Sequence, residues 1–402
     1  MKVLVVNAGS SSLKYKVINM DDERILSDGV VECIGLPTSR LKHNAYQKAT
    51  ASLEVKVPDY IIAIRLVLEV LTNPLLGVIE SLDEIDAVGH RVLHGGTEFS
   101  ESVVINDAVK AAIRKCILLG PLHNPANLMG IEACEKVMPT TPQIAVFDTA
   151  FHQTMPAKAY MYGVPKKYHD ELGVRRYGFH GTSHRYVSKR VCEYLGIPQE
   201  GTKIIICHLG NGSSLSACVD GKCVDTSMGL TPLEGLLMGT RCGSCDPAVV
   251  QFIANNEGMT PDQVLDMMNK KSGLLGISGT SSDMRDVDAA ADAGDENAEL
   301  ARQMLVYGIQ KYIGSYAAAM GGVDMIVFTA GIGENNGKLR ERVMANFEYL
   351  GAKLDIAKNA ACADGKATEC IVSTDDSKVK ILVIPTNEEI MIARDTLELV
   401  SK

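Results

Sequence analysis

The chain has no Trp, and only 5% of its 402 residues are aromatic. Proteins that bind single-stranded nucleic acid by stacking its bases need such rings, so that class is excluded. A basic excess is also missing: 40 Lys and Arg face 49 Asp and Glu, for a net charge of −9. No stripe of positive charge awaits a polyanion, so an anionic substrate must be held by a few placed cations. No apolar run is long enough to span a bilayer, because each is interrupted by charge or glycine. The Val3–Val6 run behind one Lys is too short for a secretory signal. The 11 cysteines are odd in number and scattered through apolar segments, which reads as reduced thiols in a cytoplasm. Cys242-Gly243-Ser244-Cys245 has no second pair to complete a structural zinc site. These absences, with 46% hydrophobic residues and this length, leave an α/β enzyme of two domains.

What is present is a pattern written twice. Val3–Val6 breaks into Asn7-Ala8-Gly9-Ser10-Ser11-Ser12 and resumes at Leu13-Lys14-Tyr15-Lys16-Val17-Ile18. Ile204–Cys207 breaks into His208-Leu209-Gly210-Asn211-Gly212-Ser213-Ser214 and resumes at Leu215. Gly9-Ser10-Ser11 aligns with Gly212-Ser213-Ser214, an offset of 203 positions. Each copy reads as strand, small-residue loop, strand. Glycine permits close approach and positive φ, so such loops can turn N–H groups and hydroxyls toward an anion. This is not a P-loop, which needs Gly-Lys-Ser/Thr opening a helix. The repeat implies a duplicated domain pair holding phosphate in a shared cleft.

Other segments supply the frame. Tyr60–Leu71 has helical spacing behind Asp59, and Ala108–Leu119 and Ala126–Val137 read as helices. Thr260-Pro261-Asp262-Gln263 is a helix start with a capping box, and Glu296–Met320 is a long helix stopped by Gly321. Arg91 lies between two histidines before Gly95-Gly96, and Arg241 lies among glycines. Asp148 ends the apolar strand Ile144–Phe147, where a carboxylate commonly serves a metal. Lys14 can reach a phosphate from the first loop. His180 and His184 have the spacing of a metal pair, but no acidic ligand is near and a hydrogen-bonding role for His184 is the expectation. Arg241 beside Cys242 is expected to lower that thiol's pKa.

These segments, together with Gly89–Gly96, Tyr177–His184, Gly239–Gly243, Ser282–Arg285, Gly331–Asn335 and Pro385–Glu389, resemble the acetate kinase family in motif and order from residue 3 to about 395. The resemblance implies the fold of sugar kinases, actin and chaperone ATPases: two duplicated actin-like, ribonuclease H-like α/β domains around a nucleotide cleft. Residues 1–150 would bind acetate and be completed by a C-terminal helix at 386–402, and residues 151–385 would bind nucleotide. The implied reaction is reversible transfer of the ATP γ-phosphoryl to acetate, with Mg²⁺ (or Mn²⁺), in a cytoplasmic homodimer. Asn7 and Glu388 would hold the metal. Lys14, His208, Leu209, Gly210, Asn211, Gly212, Asp283, Met284, Arg285, Gly331, Ile332, Gly333, Glu334 and Asn335 would line the nucleotide. Arg91 would bind acetate or acetyl phosphate, with Leu93, Leu122, Phe179 and Pro232 around the methyl group. His180 and Arg241 would stabilise the transferring phosphoryl, and Asp148 would complete the catalytic group. Acetate is ionised at neutral pH, like any carboxyl with a pKa of about 4.3, and needs no general base. Asp148 is therefore expected to position Mg²⁺ or its waters. Alternatives are a propionate or butyrate kinase, or a non-catalytic nucleotide-gated module.

Overall fold

A computed structural model describes residues 1–402 apart from Ser10, Gln47, Leu122 and 363–367. The chain divides into two compact units, Met1–Phe151 with Asn387–Lys402, and His152–Thr386.

The first unit is built on a sheet of β1 (Lys2–Ala8), β2 (Ser12–Asn19), β3 (Arg24–Glu32), β4 (Ser39–Ala45), β5 (Ala49–Val55), β6 (Ala87–Val92), β7 (Val103–Val104) and β8 (Gln143–Phe147), in the order β5-β4-β3-β2-β1-β6-β8-β7. β1 to β5 form an antiparallel meander, and β1, β6 and β8 run parallel. Alternation puts Leu4, Val6, Leu13, Tyr15, Val17, Val31 and Leu41 on one face, where they form a core with the helix Tyr60–Leu71. The helix Glu388–Val400 contributes Ile392 and Thr396 against β6. It approaches so closely that a Cβ on Gly89 would collide with both side chains, which is why that strand carries glycine.

The second unit has a sheet of β9 (Lys203–Leu209), β10 (Ser213–Val219), β11 (Lys222–Thr226), β12 (Met325–Thr329), β13 (Cys370–Ile371) and β14 (Lys380–Val383), in the order β11-β10-β9-β12-β14-β13. The hairpin turn between β10 and β11 is Asp220-Gly221, with φ of 53° and 73°, the left-handed pair such a turn requires. The helix Glu296–Met320 lies in the main core with Ile205, Leu215, Phe328 and Ile381. It stops at Gly321, where φ is 65°.

The two sheets share one topology, β3-β2-β1-β6-β8 in the first unit and β11-β10-β9-β12-β14 in the second, three antiparallel strands followed by two parallel ones. The expected α/β duplication is present, but its register is not the one the sequence suggested. In the first hairpin Ala8 pairs with Leu13, and in the second Leu209 pairs with Ser213. Gly9 therefore follows directly on its first strand, whereas Gly212 is the last residue before its second strand. Ser213 and Ser214 belong to β10 and are buried. The small-residue match is a coincidence of composition laid over a true topological repeat. The first N–H of each loop is also turned inward, with Gly9 N–H donating to Ser12 O at 2.7 Å and Gly210 N–H to Gly212 O at 3.2 Å.

Nine described cysteines are free. Cys362 and Cys370 depart from the expectation of reduced thiols: they are joined as a disulfide, their Cα atoms 6.6 Å apart, within the span such a bridge allows. No helix among the described residues is long and apolar enough to cross a membrane.

Candidate active site

In the first unit the candidate residues stand at the carboxyl ends of parallel strands, where α/β sheets collect ligands. Asn7 lies one residue before the end of β1, Arg91 lies near the end of β6, and Asp148 follows β8. Arg91 Nε donates to Asp148 Oδ1 at 3.1 Å and Nη2 to Oδ2 at 2.5 Å, a bidentate pair with a fully buried carboxylate. Arg91 Nη1 also reaches Asn7 Oδ1 at 3.5 Å, and Glu388 Oε2 lies 3.8 Å from Nε. Burial opposes the charge on Arg91, but Asp148 and Glu388 outweigh it and hold the guanidinium firmly protonated. Burial, with Asp148 and Glu389 nearby, pushes the Glu388 carboxyl up to about 7 against the pull of Arg91 and Lys14.

Both oxygens of Asp148 accept from Arg91, so the carboxylate is a counter-ion that orients this guanidinium. Leu93 lies just beyond β6 and is buried, its N–H donating to Asn127 Oδ1 at 3.0 Å. Leu122 lies outside the described residues. Lys14 is exposed on β2 and lines, with Asn7 and Lys16, a hollow of about 410 Å³ in the first unit.

The second unit holds a cavity of about 730 Å³ lined by Gly210, Asn211, Asp283, Met284, Arg285, Gly331, Ile332 and Asn335. These are candidates from three separate stretches of sequence brought together by the fold. Ser282, Asp288, Asn336 and Lys338 complete the lining. The last three belong to no glycine loop and gave no signal of their own. His208, Leu209, Gly212, Gly333 and Glu334 are not on its wall. His208 and Leu209 are buried at the end of β9, and Glu334 accepts the Thr386 N–H at 3.1 Å. Arg285 donates to Asp283 at 2.6 Å and holds that carboxyl down at about 2.

His180 precedes the helix Gly181–Leu195 with φ of 59°, a left-handed conformation uncommon outside glycine. Its Nδ1 meets Ser214 Oγ at 2.9 Å, and its ring stacks on His208 with centroids 4.1 Å apart. A Cβ built on Gly212 would lie 3.4 Å from His180 Nε2 and 3.5 Å from Arg241 Nη1, so imidazole and guanidinium converge over this glycine. Arg241 Nη1 donates to Pro232 O at 3.2 Å. Burial lowers its pKa, and no carboxylate pairs with it among the described residues. Phe179 is buried beside His180. The thiol of Cys242 is not activated by its neighbour Arg241. Burial, with Cys245 nearby, pushes it up to about 11, because the guanidinium points to Pro232 instead. Among the described residues no group of three His, Cys, Asp or Glu is placed to hold a metal.

Residues 2–394 match the acetokinase family. The chain is 56% identical over 400 residues to acetate kinase from Carboxydothermus hydrogenoformans, covering 100% of this chain and 99% of that one. It is 53% identical over 402 residues to acetate kinase from Desulfitobacterium hafniense (strain Y51), covering 100% of each. The crystal structure of Porphyromonas gingivalis acetate kinase superposes with a TM-score of 0.95 at 49% identity over 99% of both chains. A propionate kinase from Francisella tularensis superposes at 0.92 with 40% identity, covering 99% of both. The chain belongs to the acetokinase family.

Proposed function

We infer that this chain, a phosphotransferase with a carboxyl acceptor, moves the γ-phosphoryl group of ATP reversibly onto acetate, giving acetyl phosphate and ADP. The observation that carries the residue-level reading is Arg241, a half-buried guanidinium with no carboxylate partner among the described residues, converging with His180 over Gly212. A desolvated cation left without a counter-ion is costly, and an anion arriving beside it removes that cost. A loose phosphoryl transition state spreads negative charge over its equatorial oxygens, and donors preorganised around it lower the barrier. Arg241 and His180 fill that role. The residues lining the second unit's cavity hold the nucleotide, and Arg91, oriented by Asp148, binds the acyl carboxylate. Asp148 therefore acts on the acceptor through Arg91 and moves no proton.

Asn7 and Glu388 offer an amide oxygen and a carboxylate, the hard donors magnesium prefers, while keeping room for water and phosphate oxygens. The cost of ionising the buried Glu388 is one that a dication would relieve, so the pair fits the ion. When bound, Mg²⁺ would neutralise phosphate oxygens during transfer. The homodimer and the cytoplasmic location carry over from the resemblance, and sedimentation of the purified chain tests the first. The activity test incubates the protein with ATP, Mg²⁺ and acetate, propionate or butyrate, and traps acyl phosphate with hydroxylamine. Acetyl hydroxamate should form fastest. Faster propionyl hydroxamate would move the substrate, and no hydroxamate from any acid would end the reading.

A further inference from the structure

Ser214 is out of reach of a phosphate-binding role because it is fully buried on β10. Its hydroxyl lies between two histidines instead, 2.9 Å from His180 Nδ1 and 2.8 Å from His184 Nε2. The four-residue spacing of those histidines puts both on one side of the helix start, facing β10. No third ligand makes this a metal pair among the described residues. We propose that Ser214 and His184 are positioning residues that fix the tautomer of His180, so that His180 presents a neutral Nε2–H donor to the transferring phosphoryl. The proposal deepens the role given to His180 and rests on that reading.

The proton arrangement follows from counting donors. A serine hydroxyl has one proton and two lone pairs, and the partners of Ser214 Oγ among the described residues are these two imidazole nitrogens, so to keep its own proton bonded it accepts from one and donates to the other. His184 Nδ1 is buried with no hydrogen-bond partner among the described residues. A proton on that nitrogen would be an orphaned buried donor, which proteins avoid more strictly than an unused lone pair. His184 therefore carries its proton on Nε2 and donates it to Ser214 Oγ. The Ser214 proton must then go to His180 Nδ1, which accepts. The remaining proton of His180 sits on Nε2, the edge that converges with Arg241 over Gly212. The opposite order would aim a lone pair at anionic oxygens. Burial, with His152 and His208 nearby, keeps His184 neutral and so prevents it from donating from both nitrogens. His208 stacked on the His180 ring holds its plane.

Nitrogen and carbon NMR of the full chain carrying isotope-labelled histidine reads the tautomer directly, with His180→Gln identifying the signal. Wild-type His180 should be protonated on Nε2, and Ser214→Ala should shift it toward a mixture. In kinetics, Ser214→Ala and His184→Leu should each lower kcat roughly 10- to 100-fold, as loss of an orienting partner does elsewhere, with KM for ATP and acetate unchanged. His184→Gln, whose amide can donate to Ser214 in place of Nε2–H, should recover most of the loss. A wild-type His180 protonated on Nδ1 overturns the proposal. So does a folded Ser214→Ala enzyme with wild-type kcat. A wild-type chain that forms no acyl hydroxamate overturns the underlying reading instead, and the NMR tautomer still judges the relay because it needs no turnover.

Discussion

Arg91 and Arg241 are both desolvated cations, but among the described residues only Arg91 has a carboxylate partner, and their removal should fail in different ways. Arg241 donates to a carbonyl and leaves no charge behind when lost. Arg241→Ala should therefore keep its thermal stability while turnover falls roughly 10³-fold, the scale of a lost phosphate-stabilising arginine. Arg91→Ala removes the bidentate partner of the fully buried Asp148, so it should lose activity and also stability, by up to about 3–5 kcal/mol. Calorimetry beside turnover measurements separates the two, and an Arg91→Ala protein as stable as wild type would mean that Asp148 is not balanced by Arg91. Leu93 is the residue proposed to set acyl choice. It is buried and closely packed, with Cδ2 3.3 Å from where a Gly120 Cβ would sit. A methylene in a tight apolar pocket is worth about 1–3 kcal/mol of discrimination. Leu93→Ala should raise kcat/KM for propionate and butyrate relative to acetate, and an unchanged ratio would remove Leu93 from the pocket.

The helix Asn124–Val137 fixes the loop that carries these residues. Asn127 Nδ2 donates to Ala8 O at 2.7 Å while its Oδ1 accepts the Leu93 N–H, tying the end of β1 to the end of β6. One turn earlier, Asn124 clasps both the N–H and the carbonyl of His94. Asn127→Ala would leave two buried backbone groups unpaired, at about 1–3 kcal/mol each. It should raise KM for acetate more than KM for ATP, and equal effects on both would argue for general loosening instead. Neither asparagine announced this in the sequence, where Asn near a helix start reads as a cap or turn residue. Arg340 was equally silent. In a charged helix it looks like a surface residue, yet it is fully buried, donating to the carbonyls of Gly333 and Glu334 and to Asn359. By contrast, the Thr260 capping box, the Asp59 cap and the stop of the long helix at Gly321 were legible, because each is decided by residues within a few positions. The strands β3 to β5 were not. Their charged outer residues and the thin burial of β5 hide the alternation, and only pairing across the meander settles them. Candidate site residues on glycine loops were proposed from motif order, whereas the Arg91–Asp148 pairing depends on the register of β6 against β8.

At the scale of the whole molecule, each unit carries an imidazole that must stay neutral, which makes the fold sensitive to acid. In the first unit His90 is buried and bonded to Gln143 Oε1 at 2.6 Å, and burial lowers its pKa to about 4. In the second unit His184 is lowered further by burial and by its histidine neighbours. The unfolded chain titrates histidine near 6.5. Between that value and about 4 the unfolded state binds more protons at His90 than the folded state does, so stability rises with pH across the window. The contribution is complete above the unfolded pKa and is lost as pH falls toward the folded one. A shift of this size amounts to about 3 kcal/mol for His90 alone. Exposed carboxylates held low by ion pairs cannot account for a loss in this range, because Asp283 and Glu84 stay ionised down to about 2. Lowering the pH from 7 to 5 should thus weaken the second unit while far-UV structure persists, as hydrogen exchange resolved by residue would read, whereas in the first unit Glu388, raised to about 7, takes up a proton in the folded state and opposes the loss at His90. His90→Gln keeps an amide near Gln143 but cannot titrate. It should leave the Glu388 gain unopposed, so that the first unit becomes firmer as pH falls toward 5, and leave the second unit as acid-sensitive as before. If protection in the second unit stays level from pH 7 to 5, His184 is protonated without cost and the argument from burial fails.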